Sequence, residues 1–241
     1  MGLWQSVVDA IYPPGCAFCD AETETAGGLC GACWSKTRFL KGCVCDQCGA
    51  PLPGEDASLD LRCDDCLVVG RPWSRGRSAL AYEGPARTML LRLKHGDRLD
   101  LVAPAARWMA EAGRAIWPDA PLLVPVPNHW TRRVKRRYNQ AALLARAIAR
   151  QTGAEVAPRA LVRTSQTALL DGKSPAARFE ALDGVIAAHP THGGVVAGRN
   201  VIVIDDVMTS GATLAAATEA LIGASAQEVR VLALARVLKE T

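Results

Sequence analysis

Beyond Cys66 the sequence contains no cysteine, so the remaining residues to Thr241 can hold neither a disulfide nor a thiolate metal site. Long apolar runs are missing as well. Charges or prolines interrupt every candidate before the roughly 18 residues that a membrane span needs. The opening MGLWQSVVDAIYPPG lacks a basic n-region, and its apolar residues recur at helical spacing, which argues against a secretory signal and for a packing helix. Met1-Gly2 with Ser6 also fits a myristoylation pattern, but Leu3, Trp4, Val7, Val8 and Ile11 already account for the segment. The expectation is therefore a cytoplasmic protein whose cysteines stay reduced or bind metal. Catalytic relays are likewise missing. The four histidines, His95, His129, His189 and His192, have no neighbours that suggest a Ser/His/Asp arrangement. Acidic residues are absent from 132–150, where seven basic ones (Arg132, Arg133, Lys135, Arg136, Arg137, Arg146 and Arg150) raise a local positive potential suited to a polyanion.

What is present divides in two. At 241 residues and 49% hydrophobic the chain can bury a substantial core. All nine cysteines lie between Cys16 and Cys66, which places a boundary near Gly70 to Gly76 and predicts a module over 1–70 followed by a domain over 71–241. Eight of the nine form Cys-x-x-Cys pairs: Cys16 and Cys19, Cys30 and Cys33, Cys45 and Cys48, Cys63 and Cys66. A two-residue gap lets one tight turn aim both sulfurs at a single ion, so eight thiolates predict two structural Zn2+ sites of four ligands each. Sequential pairing closes the shorter loops, and an interleaved arrangement remains open. Cys43 is left over.

In the second part, Val201 to Ile204 is a β-branched run typical of a central parallel strand, with Asp205 and Asp206 at its C-terminal end. Thr209, Ser210, Gly211, Ala212 and Thr213 make a small-residue turn into an apolar helical segment, Leu214 to Leu221. Backbone N–H groups and hydroxyls at such a helix start bind a phosphate monoester. The carboxylates suit the vicinal hydroxyls of a sugar, so the set fits a ribose 5-phosphate. Val124 to Pro127 predicts a strand ending at a stiff turn, which brings 128–133 to the same crevice. Ala141, Leu144, Ala145, Ile148 and Ala149 predict a helix with Arg146 and Arg150 on its solvated face. A further helix is predicted over Pro104 to Ile116, with Trp108, Met109, Ala112 and Ile116 on one side, and a closing strand over Val229 to Leu234.

Ile204-Asp205-Asp206-Val207-Met208-Thr209-Ser210-Gly211-Ala212-Thr213 resembles the phosphoribosyl pyrophosphate (PRPP) loop of type I phosphoribosyltransferases. With the cysteine module, nearly the whole chain resembles the ComF (ComFC) family of competence-associated proteins. Val124-Pro125-Val126-Pro127 and Arg136-Arg137-Tyr138-Asn139-Gln140 are similar to that family's Pro-Val-Pro and Arg-Gly-Phe/Tyr-Asn-Gln elements. Tyr82-Glu83-Gly84 resembles its opening hairpin, and Leu93-Lys94-His95-Gly96-Asp97 its Lys-containing helix end. Arg137 replaces the usual glycine, and the Arg163 to Gly184 segment keeps Arg163, Gln166 and Arg178 without the Arg-x-x-Asn ending.

The resemblance implies an α/β fold of the type I phosphoribosyltransferase class, with a mostly parallel sheet flanked by helices and an N-terminal double zinc ribbon. It implies PRPP with Mg2+ as ligand, Asp205 and Asp206 at the ribose, Thr209 to Thr213 at the 5-phosphate, and Asn128, Arg132, Arg133 and Arg136 on the pyrophosphate side. Two functions follow: phosphoribosyl transfer to an unidentified acceptor, or non-catalytic binding of PRPP and single-stranded DNA during natural transformation. A DNA-uptake helicase is the implied protein partner.

Overall fold

A computed structural model describes residues 14–25, 27–54, 60–95, 98–128, 138–164 and 184–238. Five parallel strands form its centre: β1 (Gly76–Ala81), β2 (Leu122–Pro125), β3 (Glu155–Val156), β6 (Asn200–Met208) and β7 (Glu228–Arg236), in the order β1-β7-β6-β2-β3. A separate antiparallel pair joins β4 (Leu161–Arg163) to β5 (Ile186–Ala188). Burial on both faces explains the unbroken apolar reading of the central strands. Ile202 and Ile204 enter one core with Leu232 and Leu234, while Val201 and Val203 enter the other with Val229 and Val231.

Helices cover these faces. On the first lie α4 (Val102–Gly113), continued as a 3-10 turn through Ile116, and α5 (Gln140–Thr152). Met109, Ile116, Leu144 and Ile148 are fully buried there, and Trp108 packs beside them, as the helical spacing predicts. Asn139 caps α5 by accepting the Ala142 N–H at 3.2 Å, and Gly153, with φ of +73°, ends the helix in the left-handed region. Arg146 and Arg150 are exposed on α5. On the second face lies α6 (Ala212–Gly223). The N-terminal segment read as a helix, together with His129 to Arg137 and 165–183, lies outside the described residues.

One expectation from the family resemblance fails. Tyr82-Glu83-Gly84 does not open a hairpin, because β1 pairs in parallel with β7 and runs directly into helix α3 (Gly84–His95). The antiparallel neighbour of β1 comes from the cysteine module instead: Phe39 bridges Leu80, Leu40 N–H donates to the Ala79 carbonyl at 3.0 Å, and Ala81 N–H donates to the Arg38 carbonyl at 2.9 Å. The module thus covers an edge strand that would otherwise expose unpaired backbone groups.

It does so from both sides. Cys16 and Cys33 belong to the core of α4 and α5, with the Phe18 and Phe39 rings packed edge-on against Trp108 at 5.6 and 5.9 Å. Cys45, Cys48 and Cys66 belong to the opposite core, beneath α6. Two short helices, α1 (Gly31–Ser35) and α2 (Asp64–Val68), follow Cys30 and Cys63. Asp46 anchors the second half by ion pairs to Arg77 at 2.6 Å and Arg75 at 2.8 Å.

Close approach fixes a glycine at this seam. Gly49 has φ of +69°, and a Cβ there would stand 2.9 Å from the Ser78 nitrogen and 3.1 Å from the Arg77 Cα, both backbone atoms that cannot yield. Gly49→Ala is expected to cost about 2 kcal/mol, from left-handed strain plus the clash. Thermal denaturation would read this as a lowered midpoint.

Candidate functional site

The crevice begins where β2 ends. Ladder pairing of β2 with β6 stops at Pro125 opposite Ile204, and Val126 N–H makes the last bond, to the Ile204 carbonyl at 2.9 Å. A further ladder bond would run from Asp206 N–H to the Val126 carbonyl. Both groups are engaged elsewhere: Asn139 Nδ2 donates to the Val126 carbonyl at 3.0 Å, and Asp206 N–H donates to Asp205 Oδ1 at 2.8 Å. Meanwhile β6 continues beside β7 as far as Met208 opposite Arg236. The aspartates therefore lie within the strand rather than after it, on a stretch that has lost one neighbour, and this opening beyond the strand end is where α/β sheets bind ligands.

Asp205 and Asp206 are each half-buried. Desolvation, followed by the adjacent Asp206 charge, pushes the Asp205 carboxyl up to about 7, against the opposing pull of the Asp206 N–H, Lys94 and Arg163. Lys94 reaches in from the end of α3 and holds Asp206 Oδ2 at 3.3 Å. Arg163, from β4, supplies the second nearby cation. Asn128 stands at the mouth of the crevice, and its buried Nδ2 has no acceptor among the described residues. Arg132, Arg133 and Arg136 lie outside the described residues.

Across the crevice, Thr209 is exposed, Ser210 and Thr213 are half-buried, and Gly211 and Ala212 are buried. Gly211 is the N-cap of α6, with φ of +85°. Having no side chain, it leaves the first-turn amides of a twelve-residue helix without a side-chain cap. Of these amides, the Ala212 N–H makes a long bond to the Ser210 hydroxyl at 3.4 Å. A glycine start of this kind keeps amides and helix dipole available to an anion. The structure thus sets the acid pair near the end of β6 and the Thr209–Thr213 turn just past it, with Asn128 following the neighbouring strand β2. Sequence reasoning gave Lys94 only as part of a motif and missed its contact with Asp206, which joins residues 112 positions apart (206 − 94).

The cysteines resolve into two groups, Cys16 with Cys19, Cys30 and Cys33, and Cys45 with Cys48, Cys63 and Cys66. This is the sequential pairing. Within each group the sulfurs all lie within 4.8 Å of one another, with Cys19 to Cys30 at 3.7 Å and Cys48 to Cys63 at 3.5 Å. Tetrahedral Zn–S bonds of about 2.3 Å place sulfurs about 3.8 Å apart, whereas a disulfide needs about 2.05 Å. The donor sets therefore fit structural zinc. Burial opposes ionisation of Cys16, yet backbone N–H groups led by that of Cys30, 3.3 Å away, lower its thiol to about 6. Cys48 and Cys66 hold the Cys45 thiol well below its ordinary value. Cys43 remains apart, its sulfur 3.8 Å from the Pro53 carbonyl.

Residues 7–67 match the double zinc ribbon family model, and residues 139–241 match the phosphoribosyl transferase domain model. The DNA utilization protein YhgH of Escherichia coli K12 is 30% identical over 216 residues, which cover 88% of this chain and 91% of that protein. The chain belongs to the ComF family. Competence protein ComFC of Bacillus subtilis is 27% identical, over 80% of this chain and 78% of its own length. Competence protein F of Haemophilus influenzae is 25% identical, over 92% and 96%. This ComF protein joins a phosphoribosyltransferase domain to a cysteine-rich ribbon module. No helix among the described residues is long and apolar enough to cross a membrane.

Elemental analysis of protein purified without chelators is expected to give two zinc ions per chain, and fewer than one would contradict the thiolate sites. Asp205 carries a second expectation. A raised carboxyl keeps its proton in the folded state while the unfolded chain loses it, so its contribution to stability falls as pH rises from about 4 to about 7. Asp205→Asn keeps the acceptor for the Asp206 N–H and removes the desolvated charge. Its melting temperature should exceed that of the wild type by a few degrees at pH 8, with the gap closing toward pH 4.

Proposed function

We propose that the crevice binds PRPP and that the protein is a phosphoribosyltransferase acting on an unidentified acceptor, in the handling of incoming DNA. One observation carries this reading: a carboxylate pair and an open, glycine-started helix terminus meet at the end of the same strand. Neither half alone selects a sugar phosphate. Together they offer donors to a 5-phosphate and acceptors to a vicinal diol, the two ends of a ribose 5-phosphate.

The chemistry is breakage of the bond between the anomeric carbon and pyrophosphate. Mg2+ accompanying the ligand would neutralise the diphosphate. Asp205 and Asp206 orient the ribose hydroxyls, and their negative potential favours the positive charge that develops on the ring as pyrophosphate departs. Asn128, with its unmatched Nδ2 at the crevice mouth, and the basic residues Arg132, Arg133 and Arg136 are assigned to the pyrophosphate side. Lys94 is a reversible partner: it holds Asp206 in the free protein and is released or shared when hydroxyls arrive. No protein nucleophile is needed, since positioning and electrostatics suffice and the acceptor supplies its own nitrogen.

A second reading, PRPP binding without turnover combined with binding of single-stranded DNA, draws on the names of the relatives, which concern DNA utilization and competence. The basic segment 132–137 is its proposed contact, with a DNA-uptake helicase as partner. A steep loss of DNA affinity with salt would mark phosphate contacts there.

Calorimetric titration with PRPP and Mg2+ tests the shared premise. Wild type should bind, and the Asp205→Ala, Asp206→Ala double variant should lose about a hundredfold or more in affinity, as expected when charge-assisted hydrogen bonds are removed from a half-buried site. Pyrophosphate release on addition of nitrogenous acceptors separates the two readings. Failure of zinc-loaded wild type to bind PRPP would reject both.

A further inference from the structure

The phosphate turn is held from behind by the second cysteine group. Arg71, from the segment between the two parts of the chain, donates from Nη1 to the Ser210 carbonyl at 2.7 Å. Cys45 pushes the Cys66 thiol up, and the Arg71 guanidinium opposes that shift. That guanidinium lies 5.5 Å over the ring of Trp73, which is 1% exposed and packs in one core with Cys45, Cys48 and Cys66. Gly211 rests on this pair: a Cβ there would stand 3.1 Å from both Arg71 Nη1 and Trp73 Cη2. Just before the Thr209–Thr213 turn, buried Arg236 donates to the Cys48 carbonyl at 2.7 Å and reaches Met208 Sδ at 3.3 Å. The other cysteine group sits in the opposite core, so the two metal sites do unequal work.

Peptide geometry gives the Arg71 contact its meaning. In a trans peptide the carbonyl and the following N–H point to opposite sides. No peptide bond in the described chain is cis. Holding the Ser210 carbonyl toward the cysteine module therefore turns the Gly211 N–H away from it, and a flip of this peptide would present a carbonyl oxygen where an N–H had been. Glycine at 211 removes the side-chain obstacle to such a flip, so the turn needs an external restraint. Arg71 supplies it with a planar guanidinium that donates to the carbonyl while lying over the Trp73 ring, which a lysine ammonium reproduces only in part. A four-thiolate zinc site carries a net charge of about −2, and Arg71 and Arg236 bring two compensating charges to it.

We propose that Arg71 is a positioning residue that locks the Thr209–Thr213 turn in its anion-binding form, with the Cys45, Cys48, Cys63 and Cys66 site as its anchor. This inference rests on the reading of that turn as a 5-phosphate site.

The test compares wild type, Arg71→Met and Arg71→Lys in the full-length, zinc-loaded protein. Zinc content, hydrogen exchange of the segment 208–214 without ligand, and calorimetric affinities for ribose 5-phosphate and for inorganic pyrophosphate are measured. Arg71→Met is expected to keep both zinc ions, to exchange faster across 208–214, and to bind ribose 5-phosphate about ten- to hundredfold more weakly with pyrophosphate affinity unchanged. Arg71→Lys should recover part of the loss. Exchange and affinity that match wild type would overturn the inference alone. Loss of zinc with equal loss of both ligands would show a merely structural role and overturn it too. A wild type that ignores ribose 5-phosphate would overturn both this inference and the reading on which it rests.

Discussion

Strand β6 outruns its neighbour β2, and the site depends on this mismatch. Asn139 takes the Val126 carbonyl that the next ladder bond would use, while Pro125 and Pro127 lack donors on the opposite edge of β2, toward β3. The freed Asp206 N–H turns to Asp205. A crevice flanked by two half-buried carboxylates results; desolvation and then the neighbouring Asp206 charge raise the carboxyl of Asp205, while Asp206 pairs with Lys94.

The cysteine module solves a different problem. A parallel sheet leaves β1 as an edge, and the few tens of residues before it are too few to build a large core. Sulfur groups that fit zinc replace that core, one group in each of the two cores, so that the module grips the edge from both sides. Because one grip lies directly behind Ser210 and Gly211, a structural device becomes part of the proposed ligand site. Separate duties for the two halves of the chain do not describe this arrangement.

Much of this was legible from local patterns. Four Cys-x-x-Cys pairs announced the ribbons, the β-branched run announced β6, and small residues after an acid pair announced the turn. Those signals work because each depends on neighbours in sequence: knuckle spacing, strand burial and helix capping. What escaped reading depends on distance along the chain. Arg71 and Ser210 are 139 residues apart, and Arg236 and Cys48 are 188 apart. Arg71 and Trp73 occupied a segment that looked like a linker, with no periodicity to mark them. The hairpin expected at Tyr82 to Gly84 failed for a related reason, since the partner that covers β1 comes from residues 38–40, which no local pattern connects to it.

A crystal structure of the protein grown with PRPP and Mg2+, with anomalous data collected at the zinc edge, tests the central claim most directly. The expected result has the 5-phosphate on the backbone N–H groups of the Thr209–Thr213 turn, the ribose diol against Asp205 and Asp206, and one anomalous peak within each sulfur group. A ligand bound elsewhere, or a phosphate turn whose Ser210 carbonyl faces the crevice, would contradict it.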